Sequence, residues 1–144
     1  MEQSKFLNTN LTQVETAQKL VEELKPSIKE LLYNVKRYDV PVSIVLFHSI
    51  KDVSSELDNH KRLTDVLDII KIGGSYFNFI FLPFTNIQEA HSFVNYIELK
   101  VLHSEKSNCV VNELKKEQSN CLTFINSFLF GLTQQKEADS LPRA

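Results

Sequence analysis

Few residues of this chain combine chemically useful side chains with a spacing that organises them. Gly73-Gly74 lies between two apolar, β-favouring runs and is followed by Ser75-Tyr76-Phe77. A glycine pair in that setting predicts a two-residue hairpin turn, because such turns need the positive φ that glycine adopts freely. Glycine also removes the side chain that would keep a ligand away, so the turn is either structural or the lip of a binding site. No carboxylate follows the pair, so a place suited to a metal-held phosphate offers a hydroxyl and a phenol instead. Tyr76 is positioned either to stack on a base or to half-bury its ring with the hydroxyl in water. Arg62-Leu63-Thr64-Asp65 sets a guanidinium three residues before a carboxylate. The first offers forked donors to a phosphate, and the second accepts hydrogen bonds. The same four residues also read as a solvated loop.

Other chemistries find no support. His48, His60, His91 and His103 follow no metal-ligand spacing. His48, at the end of an expected strand, either lines a pocket or is a hydrogen-bonded structural histidine. Cys109 and Cys121 are too far apart for a zinc-ribbon pair and lack a second pair, so they read as buried free thiols. There is no phosphate-binding loop, no serine-histidine-acid order and no zinc pattern. No cofactor is expected.

The elements that must position these residues follow from periodicity. Val14, Ala17, Val21, Leu24, Ile28, Leu31 and Val35 recur at alternating spacings of three and four, which predicts a long helix over residues 12–37. Pro26 should kink it or end and restart it. The stripe serves either the domain's own sheet or a dimerising coiled coil. Val40 to Phe47 is a buried strand with Pro41 at its start. One short helix fits between Ser49 and Asp65. Val66–Ile72 and Tyr76–Leu82 are the strands of the glycine hairpin. Thr85 or Asn86 caps a helix whose apolar face is Ile87, Ala90, Phe93, Val94, Ile97 and Val101. A strand around Cys109 to Val111 and a helix from Ser119 to Gln134 complete an α-β-α-β-β-α-β-α order. That order predicts an α+β fold, a mixed sheet with helices on its faces and a ferredoxin-like core.

Composition agrees with a packed domain. The 144 residues suffice for one hydrophobic core, and 42% hydrophobic with 24% charged residues lies near the globular norm. A net charge of −2 argues against a nucleic-acid surface. No apolar run approaches the roughly 20 residues of a membrane helix. The polar opening, Met1-Glu2-Gln3-Ser4-Lys5, leads into no signal-peptide core, so a cytoplasmic protein is expected.

Taken together, these residues resemble a GGDEF domain, the diguanylate cyclase family, in degenerate form. Leu11-Thr12-Gln13-Val14 resembles the family's opening motif. Arg37-Tyr38-Asp39-Val40-Pro41-Val42-Ser43-Ile44-Val45-Leu46 resembles the lead into its first strand. Gly73-Gly74-Ser75-Tyr76-Phe77 falls at the signature turn, and Leu82-Pro83-Phe84-Thr85 with Ala90 resembles the hairpin's end and the next helix. The resemblance implies a nucleotide-cyclase-like core over residues 11–135, which leaves an extension at 1–10; the polar residues 136–144 read as a flexible tail. Family cyclases hold two magnesium ions through an aspartate at the first strand's end and a carboxylate in the signature turn. By register the strand-end positions here are His48 and Ile50, and the turn positions are Ser75 and Tyr76. Magnesium wants hard, charged oxygen ligands, so the resemblance implies a domain without metal and without cyclase activity. The segment from His48 to Gly73 is also shorter than the family's by roughly a helix and a loop.

Arg62 and Asp65 have the spacing of the family's inhibitory site, which grips cyclic di-GMP. Their distance from Gly73 is longer than usual, which slides the register by roughly 7 Å while keeping the facing. The expectation is therefore a regulatory protein-interaction module of bacterial signalling, binding another protein or itself. The alternatives are a cyclic di-GMP receptor through Arg62 and Asp65 and, remotely, a divergent nucleotide cyclase.

Overall fold

The computed structural model describes residues 13–102, 109–115 and 124–131. Leu11, Thr12, His103, Cys121, Leu122, Leu132, the 1–10 extension and the 136–144 tail lie outside the described residues. Helix α1 (Gln13–Tyr38) leads into β1 (Val42–Ser49), α2 (Ser54–His60), β2 (Val66–Ile72) and β3 (Ser75–Pro83). Helix α3 (Ile87–Ile97) then runs through a π turn (Glu98–Leu102) towards β4 (Cys109–Glu113), and residues 124–131 form a last helix, α4.

The strands lie in the order β2-β3-β1-β4, each antiparallel to its neighbours. The β-α-β-β-α-β succession from β1 to β4 with this order is the ferredoxin-like arrangement, so the fold is α+β with helices on both faces of one sheet. The sheet is antiparallel throughout where the element order had suggested a mixed one. The two helical crossovers each carry the chain past a central strand, so every strand returns opposite in sense to its neighbours.

Alternation along the strands divides the interior into two layers. On one face Val42, Ile44, Leu46, Ile70, Phe77, Phe79 and Phe81 pack against α1 and α4. On the other, Val45, Phe47, Ile80 and Leu82 pack against Leu57 of α2 and Ala90, Val94 and Ile97 of α3. All eight positions of β1 are buried, because helices cover both of its faces and strands flank both edges. Phe128 of α4 meets Phe79 and Phe124 edge to face, at ring separations of 5.8 and 5.0 Å. Such pairs contribute about 0.5–1.5 kcal/mol each beyond their area.

Helix α1 excludes one of the two expectations at Pro26, an end and restart, and corrects the buried stripe. It continues through Pro26, which is exposed together with Glu22, so the carbonyl that loses its intrahelical partner faces water. Its buried face is Ala17, Leu20, Leu24, Ile28, Leu32 and Val35, whereas Val14 is 66% exposed and Val21 and Leu31 sit at the margin. These buried positions cover the chain's own sheet. Asn86 caps α3 in a reciprocal box: its side chain accepts from the Glu89 amide, and Glu89 accepts from the Asn86 amide.

Candidate functional site

The residues singled out by their chemistry gather at opposite ends of β2, about 20 Å apart by strand rise. At one end is the glycine turn. Ile72 pairs with Ser75 across the two glycines, and only the first of them, Gly73, has positive φ, at 63°. That is the pattern of a type II′ turn, whose twist suits the two strands. Ser75 and Phe77 are wholly buried and point to the same face as His48. His48 lies 5.1 Å from the Phe77 ring, and its Nε2 is 3.3 Å from Ser75 Oγ. The single hydroxyl proton cannot serve two acceptors. With it directed to the Ile72 carbonyl at 3.4 Å, Nε2–H of the imidazole is the donor to Ser75.

This crease does not fit magnesium. Its polar groups are an imidazole and a hydroxyl bonded to each other, a phenylalanine ring fills the space beside them, and neither position carries a carboxylate. Ile50 lies beyond the end of β1 and is 62% exposed. Tyr76 points to the opposite face, half-buried, with Lys71 Nζ 5.6 Å from the centre of its ring. Sequence reasoning missed Asn78, which is fully buried on that same face. Its amide donates to the Phe47 carbonyl at 2.9 Å and to Ser49 Oγ at 3.0 Å, tying β3 to the end of β1. A lone asparagine within an aromatic strand was the available signal.

At the other end of β2, Arg62 and Asp65 bind each other. The Arg62 amide donates to Asp65 Oδ2 at 2.9 Å, and Nε and Nη2 reach the carboxylate at 3.0 and 2.8 Å. Nη2 also donates to Thr85 Oγ1 at 2.7 Å, joining the loop before β2 to the turn after β3. The Asp65 carboxylate is fully enclosed, while the Arg62 side chain is 49% exposed. Bonding to Asp65 raises the guanidinium's affinity for its proton. The carboxylate thus fixes Arg62 in one orientation, and Nη1 takes no part in these bonds. Leu63 beside it is fully exposed, and Phe84, next to Thr85, is 70% exposed with φ of 55°. Among the described residues no group of three or more histidines, cysteines or carboxylates could hold a metal ion. No helix among them is long and apolar enough to cross a membrane.

The architecture is a ferredoxin-like α+β fold with a glycine hairpin at one end of its edge strand. No protein-family model matches the sequence, and no curated protein matches it. Among solved structures the chain is similar to PelD from Pseudomonas aeruginosa PA14 in complex with c-di-GMP, at 18% identity and a TM-score of 0.53. It is also similar to PelD from strain PAO1, at 17% identity and a TM-score of 0.52, and to the apo form from PA14, at 20% and 0.50. These likenesses cover 81%, 90% and 83% of this chain and 45%, 48% and 47% of those chains. The chain therefore spans about half the length of the solved chains it matches.

Proposed function

We propose that this chain is a non-catalytic GGDEF-like module whose work in signalling is to bind. The crease beside the glycine turn carries the reading: His48, Ser75 and Phe77 fill it by packing on one another, and no carboxylate stands where phosphoryl transfer needs its metal held. Incubation with GTP and magnesium or manganese should leave the nucleotide unchanged by chromatography. A new cyclic or linear dinucleotide product would overturn the reading.

A second reading names the ligand as cyclic di-GMP, bound through Arg62. It is favoured by the pre-aimed, half-exposed guanidinium and by the similarity to PelD, which has been crystallised in complex with c-di-GMP. In this reading Arg62 supplies the donors and Asp65 acts only by holding Arg62, because its own oxygens are enclosed and already bonded. Calorimetric titration with cyclic di-GMP tests it. Heat that disappears in Arg62→Ala supports the receptor, and no heat up to high micromolar ligand removes it while leaving the non-catalytic module standing.

A further inference from the structure

Strand β2 forms one edge of the sheet, so along its outer side the backbone pairs with no strand among the described residues. Two clefts flank its first residues, one on each face. The first, about 350 Å³, lies between α1 and the sheet, where Leu31, Val66, Phe81 and Pro83 form an apolar floor and Glu30 is the charged residue among the described lining. The second, about 500 Å³, lies beside α2 and is polar, with Ser54, Ser55, Asp58 and Lys61 around Leu67.

Their placement follows the pleat. Val66 and Leu67 are successive residues, so they face opposite sides of the sheet. A strand laid against β2 would send its own successive side chains into the first cleft and then the second. The first cleft favours a cation on an aliphatic stem: the stem covers Leu31 and Phe81 while the head reaches Glu30. A second acid stands near. Asp68, on the same face as Val66, is hydrogen-bonded by Ser27, one helical turn before Glu30, and partial burial raises its carboxyl pKa. Neither Glu30 nor Asp68 makes an ion pair among the described residues.

The geometry points to β2 as a docking edge for an extended segment of a partner protein, which adds as a fifth strand and places a lysine or arginine over Glu30. This rests on the reading of the chain as a binding module and names the kind of partner it takes. Main-chain hydrogen bonds supply the affinity of such strand addition, and the flanking clefts supply its selectivity. The charge preference comes from the exposed Glu30 carboxylate at the cleft and the half-buried Asp68 beyond it.

The probe is a blocked heptapeptide of alternating threonine and valine with one central lysine, compared with the same peptide carrying glutamate there. Titration into isotope-labelled full chain should shift backbone amides of Val66–Ile72 and slow their hydrogen exchange. The lysine peptide should bind about tenfold tighter than the glutamate peptide, and Glu30→Lys, an exposed change, should remove or reverse that preference. Shifts centred elsewhere, equal binding of both peptides, or no shift from the lysine peptide at millimolar concentration would each overturn the docking edge. A GTP control on the same sample separates the two failures, since turnover would refute the non-catalytic reading and peptide silence would refute only the edge.

Discussion

Arg62 grips Asp65 at both ends of a three-residue step, through its own backbone amide and through its guanidinium, and the carboxylate so held is wholly enclosed. The pair is a clasp between the loop before β2 and Thr85 after β3. Removing the guanidinium leaves a buried carboxylate with only the Arg62 amide among these donors. Arg62→Ala should therefore lose about 1.5–3 kcal/mol of stability, the range for hydrogen bonds to charged groups. Urea unfolding reads this as a lower midpoint at unchanged slope. Arg62→Lys should fall between, since an ammonium cannot reproduce the fork. An unchanged midpoint in Arg62→Ala would show that the clasp contributes nothing to folding.

The two turn glycines should respond differently to the same substitution. Gly73→Ala places a side chain at φ of 63° and should cost about 1–2 kcal/mol. At Gly74 an added Cβ meets nothing within 4 Å, and the φ is not left-handed. Gly74→Ala should gain about 0.4–1 kcal/mol by restricting the unfolded chain. Thermal midpoints of the two variants should shift in opposite directions.

Phe84 holds a left-handed φ of 55° while leaving 70% of its surface in water. Its backbone strain is thus met by little burial. Phe84→Asn should raise stability by up to about 1 kcal/mol, because asparagine tolerates this region far better than a bulky ring. Calorimetric melting would show a higher midpoint, and a lower one would mean that the exposed ring supports the fold.

Asp68 predicts a pH dependence whose sign is opposite to that of a paired carboxylate. Its folded pKa lies above the unfolded one, with desolvation the first cause and the Ser27 hydrogen bond opposing it. The folded state then binds more protons across that window, so this group's contribution falls as pH rises from about 3.8 through the raised value. Asp68→Asn keeps an acceptor for Ser27 and removes the charge. Its denaturation midpoint should exceed that of the parent at pH 7, and the difference should shrink towards pH 3.

The parts that were legible in sequence are those decided locally. Asn86 and Glu89 announce their cap because both partners lie within one turn. Gly73-Gly74 announces the hairpin because the turn's φ demand is met by residue type alone. The buried face of α1 was not decided locally. Leu20 and Leu32 lie on a neighbouring diagonal to Val14, Val21 and Leu31, and only the shape of the sheet beneath selects between them. The Arg62 and Asp65 spacing was visible, but an interval of three residues does not say whether the two groups face a ligand or each other. Asn78 was hidden because its partners, Phe47 and Ser49, are remote in the chain and adjacent only after β1 pairs with β3.

Helices α1 and α4 stand on the same face of the sheet, and Phe128 of α4 is sealed between Phe79 and Phe124 in the cluster that also holds Leu24 and Ile28. An event that pries one of these helices from the sheet uncovers aromatic surface that the other also needs. Because the two helices share one apolar cluster, their release should occur as one step.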